Sequence, residues 1–154
     1  MARKTGEKVI ADNRRARHEY HLLDRVEAGL ALTGSEVKSL RQGHATMQRA
    51  FADARDGELW LVGVHIPAYE QASVAPHDPE RARKLLLHRR QIDQLSAQVA
   101  ERGLTLVPTR LYFKNGRVKV EIAVARGKDR YDKRQAIKER DTKRDMQRAL
   151  SERE

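Results

Sequence analysis

The chain has 154 residues, enough for one domain, and carries 32 Lys and Arg against 22 Asp and Glu, a formal charge of +10. An excess of that sign speaks against an acidic partner-binding module and for a polyanionic ligand. With no cysteine there are no disulfides, zinc–thiolate sites or iron–sulfur clusters, and no apolar run approaches the roughly 20 residues that span a bilayer. The basic start, Met1 to Gly6, has no apolar segment behind it; it does not read as a secretory signal, so the expected location is the cytoplasm.

Leu, Ile, Val and Phe number 33, and only Ile137 and Leu150 among them lie after Val124. Composition therefore divides the chain into a flexible N-terminus (1–8), a folded body (9–126) and a basic tail (127–154). The tail has helix formers but almost no apolar face, so alone it should be disordered.

The body opens with an apolar step, Val9-Ile10-Ala11, and a basic run, Asn13 to Arg17. A long alternation follows: Tyr20, Leu22, Val26, Ala28, Leu30 and Leu32 take one side, and Glu19, His21, Arg25 and Glu27 the other. Leu23-Asp24 breaks the pattern and predicts a bulge. Gly34-Ser35 ends the strand and offers a cap to a short helix, Glu36–Gln42, closed by Gly43. In it Val37 and Leu40 face the core, while Lys38 and Arg41 share another face. Asp56-Gly57 predicts a hairpin between Ala50–Arg55 and Glu58–Ile66. After a loop with Pro67, Pro76 and Pro79, the run Asp78-Pro79-Glu80 reads as a helix start leading into Arg81–His88. A second helix is expected near Gln91–Arg102, with Ile92, Leu95 and Val99 inward and Gly103 as its stop. Asn115-Gly116 then joins Leu104–Lys114 to Arg117–Arg126, with Val118, Val120, Ile122 and Val124 inward and Arg117, Lys119 and Glu121 on a wet outer face. The fold class is mainly β: about six antiparallel strands in a small OB-like barrel, closed or nearly so, with two or three inserted helices.

Catalysis finds little support. His18 and His21 are three apart, whereas a zinc-binding helix needs four to align them, and on a strand they would face opposite ways. Glu19, Asp24 and Glu27 could serve a metal-dependent nuclease only if their side chains converged; a solvated strand face is the simpler reading. No nucleophile elbow, phosphate-cradling glycine loop or paired carboxylates appear. No catalytic residue, metal or cofactor is expected.

Nucleic acid is the better ligand. Basic residues cluster in Arg14/Arg15/Arg17, in Lys38/Arg41, and in Arg81/Arg83/Lys84 with Arg89/Arg90. Seven aromatics leave few stacking platforms, and Tyr20, Trp60 and Phe113 fall at positions expected to be packed. That favours a folded RNA, read through backbone and shape, over an unstructured strand.

These segments together resemble the family of SsrA-binding proteins, or small protein B, of bacterial trans-translation. Similar to its motifs are Asn13-Arg14-Arg15-Ala16-Arg17-His18-Glu19-Tyr20; Glu27-Ala28-Gly29-Leu30-Ala31-Leu32 with Gly34, Glu36-Val37-Lys38-Ser39-Leu40-Arg41; Arg83-Lys84-Leu85-Leu86-Leu87-His88; Leu106-Val107-Pro108; and Gly127-Lys128 with Tyr131-Asp132-Lys133-Arg134. The resemblance runs in order over about residues 9–145. It implies a non-enzymatic protein that binds the tRNA-like domain of tmRNA (SsrA RNA). With elongation factor Tu it would deliver alanyl-tmRNA to stalled ribosomes, as a monomer on RNA and away from membranes. It assigns RNA contact to Asn13, Glu27, Lys38, Arg41 and Leu86, and places Arg14, Arg15, Arg17 and His18 near the decoding site. Arg83 and Lys84 from the charge runs, and Lys119 from the wet strand face, complete the expected RNA-binding set. The tail residues Lys128, Tyr131, Asp132, Lys133, Arg134, Lys138 and Arg140 would read the vacant mRNA channel, as a helix on the ribosome. A ribosomal or general tRNA-binding structural protein is the competing class.

Overall fold

The computed structural model describes residues 7–68 and 77–128. The tail from residue 129 onward, with the expectations placed on it, lies outside the described residues, as do residues 1–6 of the expected N-terminal segment.

In chain order the elements are β1 (Glu7–Asp12), α1 (Arg14–Glu19), β2 (Tyr20–Leu30), α2 (Gly34–Arg41), β3 (Phe51–Arg55), β4 (Glu58–Val62), β5 (Arg83–Leu86), α3 (Arg89–Arg102), β6 (Thr105–Lys114) and β7 (Arg117–Gly127). Both hairpins form where Asp-Gly and Asn-Gly predict them. Asp56 and Asn115 each have φ of 52°, followed by Gly57 at +74° and Gly116 at +78°, the left-handed pair that a two-residue turn requires.

All strand pairs are antiparallel, in the order β1-β6-β3-β4-β5-β2-β7, and a further β6–β7 pairing closes six of them into a ring. β1 lies outside that ring, along β6. The expected break at Leu23-Asp24 is a register shift between Leu22 and Arg25 against β7. Inside the ring Leu30, Leu59, Leu61, Leu85, Leu106, Leu111, Val120 and Ile122 are buried, with Leu40 from α2 and Ile92 and Leu95 from α3. α3 stops at Gly103, φ +62°, as its sequence predicts.

Four local expectations change. Arg81–His88 is not a helix: Asp78-Pro79-Glu80 makes a turn, with Glu80 N–H donating to Asp78 Oδ1 at 2.9 Å, and Arg83–Leu86 is a strand between β4 and β2. Its burial alternates, Arg83 and Leu85 in, Lys84 and Leu86 out, so pairing partners on both sides override a run that is ambiguous by itself. Thr33, rather than Gly34 or Ser35, caps α2, in a reciprocal box with Glu36. The second strand of the first hairpin ends at Val62, because Gly63 turns at φ +86° with Ala50 Cα only 3.1 Å from where a Cβ would stand.

The fourth change concerns the outer face of β7. It is not wet throughout: α1, which the alternation did not anticipate, lays Ala16 over Val107, Ala123 and Ala125, all of them buried. The remaining half of that face, Lys119 and Glu121, stays partly open.

Candidate nucleic-acid interface

The open part of the outer sheet is built as rows across strands. Gly29 on β2 stands opposite Leu86 on β5 and opposite Lys119 on β7, and Lys119 stands opposite Tyr112 on β6. Because residues directly across an antiparallel ladder share a face, Leu86, Gly29, Lys119 and Tyr112 form one continuous row. Leu86 is 52% exposed, high for a leucine beside a glycine floor. A cleft of about 590 Å³ opens over the Leu86, Gly29 and Lys119 part of this row, lined also by Glu27, Lys84 and Arg89 among others, while Tyr112 is buried. It adjoins a second depression that shares Gly29, Leu86 and Lys119 and adds Val37 of α2 and Arg117.

Two acids line this groove: Glu58, 3.5 Å from Arg89, and Glu27. The Tyr112 hydroxyl donates to its Oε2, and Lys114 Nζ lies 3.3 Å from the same oxygen. The Tyr112 hydrogen bond holds the Glu27 carboxyl below the usual range, against the opposing effect of burial and with help from Lys114. Burial and the neighbouring carboxylate push the Tyr112 hydroxyl up, so it remains a donor. The Arg110 guanidinium stacks over the Tyr112 ring, 4.5 Å from its centre. The groove thus presents an ionised, pre-oriented acceptor amid Lys84, Lys114 and Lys119. Gly29, Tyr112, Lys114 and Arg117 were not among the expected site residues. Tyr112 could have been found by counting back from the Asn115-Gly116 turn to its partner Lys119; its bond to Glu27, 85 positions away, could not.

Lys38 and Arg41 are both exposed on α2, as expected. What fixes that helix is internal. Glu36, 0% exposed, accepts from Arg81 Nη2 and Arg83 Nε at 2.6 Å each, and from the Thr33 N–H at 2.8 Å. Burial alone would raise its pKa, but Arg81, the Thr33 N–H and Arg83 outweigh burial and hold it at about 2.

Two of the expected contact residues are buried. Arg83 is 0% exposed; besides Glu36 it donates to Val64 O at 2.6 Å and Pro79 O at 3.1 Å. Asn13 is 1% exposed, its Nδ2 donating to Met47 O at 3.0 Å and Pro108 O at 2.8 Å while its Oδ1 accepts from Ala16 N–H at 3.2 Å. Every polar atom of the Asn13 side chain is engaged, and the Arg83 head is enclosed. Both hold the scaffold and neither reaches a ligand in this conformation.

Arg14, Arg15, Arg17 and His18 do form one exposed group on α1. Arg15 pairs with Glu19 at 2.8 Å and Arg17 with Asp12 at 2.9 Å. Lys128 anchors the start of the tail there: its N–H donates to Glu19 O at 2.9 Å and its Nζ to Arg17 O at 3.4 Å. The α1 group lies at the Tyr20 end of β2, and the groove's Glu27 stands seven residues further along that strand, about 20 Å away at some 3.3 Å per residue. The expected contacts therefore fall on two separate surfaces. His18 sits on α1 and His21 on β2, and among the described residues no three His, Asp or Glu converge on a metal-sized site. Nor is any described helix long and apolar enough to cross a membrane.

Comparison with known proteins gives the family. The family model described as SmpB protein matches residues 10–152. The SsrA-binding protein of Acidothermus cellulolyticus is 56% identical, covering 99% of this chain and 96% of its own length. That of Thermobifida fusca is 57% identical, with 99% of each chain covered. A solved chain described as "tmRNA-SmpB: a journey to the center of the bacterial ribosome" superposes with a TM-score of 0.66 at 47% identity, covering 82% of this chain and 93% of the other. Matched along nearly its whole length by sequence and over 82% of it by fold, the chain belongs to the SmpB family of SsrA-binding proteins.

Proposed function

We propose that this protein binds the tRNA-like domain of tmRNA, the SsrA RNA, and acts with it in the rescue of stalled ribosomes. One observation carries the reading: a chain of this family presents a groove with Lys84, Arg89 and Lys119, a Glu27 oriented by Tyr112 and Lys114, and an exposed Leu86. Cations serve phosphates of any RNA, whereas a carboxylate and an apolar side chain in their midst serve bases or 2′-hydroxyls. That mixture suits a specific, folded RNA.

The separation of the two surfaces supports a division of labour. The groove end takes the tRNA-like domain. The α1 end, with Arg14, Arg15, Arg17 and His18, faces the decoding site, and the tail that starts at Lys128 enters the vacant mRNA channel through Tyr131, Asp132, Lys133, Arg134, Lys138 and Arg140. Delivery is of alanyl-tmRNA together with elongation factor Tu, by a monomer in the cytoplasm. The protein contributes binding and positioning and no bond-breaking step.

The test is a binding comparison at one salt concentration between the tRNA-like domain of tmRNA and an ordinary elongator tRNA. Preference for the former by at least an order of magnitude is expected, on the order of 1.4 kcal/mol. Equal affinity would favour a general tRNA-binding protein instead.

A further inference from the structure

We propose that the cleft over Gly29 is a base pocket that takes one unstacked guanine of the bound RNA, read at its Watson–Crick edge by the Glu27 carboxylate. The inference deepens the proposed function and rests on it, since an RNA must occupy the groove before any base can enter the cleft.

The shape comes first. Gly29 leaves a floor without a side chain between Leu86 and Lys119, its partners on either side. A Cβ built there would stand 3.3 Å from Leu86 Cβ and 3.7 Å from Lys119 Nζ, so the opening depends on glycine. The volume of about 590 Å³ falls within the roughly 300–1,000 Å³ typical of small-ligand clefts. Leu86, half exposed, supplies an apolar face for a ring, and Lys119 and Lys84 supply cations for the flanking phosphates.

The chemistry then selects the base. A carboxylate can only accept hydrogen bonds. In a duplex its usual base partner is the cytosine amino group, because the N1–H of guanine is occupied by pairing. An unpaired base offers its whole edge. Cytosine and adenine then present one amino group beside a ring nitrogen lone pair, which repels a carboxylate. Uracil presents one N–H between two carbonyl oxygens. Guanine alone presents two adjacent donors, N1–H and the N2 amino group, matching two carboxylate oxygens. Glu27 is preset for this: Tyr112 donates to Oε2, Lys114 Nζ lies 3.4 Å from Oε1 and 3.3 Å from Oε2, and the carboxylate, still partly exposed, keeps lone pairs on both oxygens for a base edge.

Nucleotide-analogue interference tests the pocket. The tRNA-like domain is transcribed with sparse inosine phosphorothioate, which lacks the N2 amino group, and RNA bound by the full-length protein is separated from unbound RNA. Losing one hydrogen bond to a charged group should deplete bound RNA about fivefold or more at one unpaired guanine. That depletion should vanish with Glu27→Gln, selected at a higher protein concentration. Gly29→Ala, which fills the floor and leaves Glu27 in place, should weaken binding of unmodified RNA severalfold. RNA that binds with no guanine interference, or with interference that survives Glu27→Gln, would overturn the pocket while leaving tmRNA binding intact. Interference confined to 2′-deoxy positions would overturn it too, in favour of a ribose contact. Failure to bind the tRNA-like domain at all would remove the proposed function and the pocket together.

Discussion

Arg83 and Glu36 form an ion pair with neither side chain exposed: Arg83 Nε lies 2.6 Å from Glu36 Oε2, 47 positions away in sequence. The pair ties the first turn of α2 to β5. It thereby sets the exposed Lys38 and Arg41 against the strand whose other face carries Lys84 and Leu86.

Breaking this pair from one side should be costly, because Arg83 would be left buried and uncompensated. Glu36→Ala should destabilise the protein by about 3–5 kcal/mol in urea unfolding. The pH dependence follows from the direction of the shift. Glu36 titrates lower in the folded protein, at about 2 against an ordinary 4.5. Its contribution is therefore complete above about 4.5 and is lost as pH falls toward 2. Stability measured across that window should drop for wild type and flatten in a Glu36→Gln variant that still folds.

Asn13 should behave as a scaffold residue. Asn13→Ala removes the cap of α1 and leaves two buried carbonyls, Met47 O and Pro108 O, without their donor. A loss of about 2–4 kcal/mol is expected by denaturant titration. Affinity for the tRNA-like domain, measured where the variant is folded, should stay within about twofold. A tenfold loss in folded protein would return Asn13 to the contact set.

Salt should separate phosphate contacts from base contacts. If about five phosphates are neutralised, log affinity against log salt should slope near −4, from roughly 0.7–0.9 per contact. Lys38→Ala should reduce the steepness by about one. Glu27→Ala should cost about 1–3 kcal/mol with the slope unchanged. A change of slope in Glu27→Ala would mean that it acts by ordering Lys114.

Removing the chain after Lys128 should leave affinity for the tRNA-like domain within about threefold. The segment removed holds nine Lys and Arg against seven acids, a net charge of only +2. The cut is placed after Lys128 because its contacts with Glu19 and Arg17 belong to the body. A tenfold loss would give the tail a share in primary RNA binding.

Replacing Asp132, Lys133 and Arg134 together by Ala should leave tmRNA binding and ribosome recruitment near wild type while peptide tagging falls at least about tenfold, roughly 1.4 kcal/mol if read as one lost step. Tagging at wild-type level, or loss of recruitment with it, would contradict a separate sensing role for the tail.

Elements whose cause is local are legible in the residues alone. Asp56-Gly57 and Asn115-Gly116 dictate their turns because only a left-handed pair fits them. The alternation of Val118, Val120, Ile122 and Val124 places one face of β7 inside, and Gly103 stops α3. Ordered motifs such as Glu27–Arg41 also identified the family before any fold was known. Which polar groups remain available depends on packing between distant segments. Arg83 and Lys84 are neighbours in one basic run, yet the strand partners of β5 turn the first into the core and the second into the cleft. Asn13 reads as part of a polar stretch, and becomes an internal bracket because β6 and the loop at Met47 close over it. Ala123 and Lys119 share a face of β7, and α1 covers one and leaves the other open. A strand's period fixes side-chain parity, but burial depends on what packs against each face, and those contacts come from residues distant in sequence.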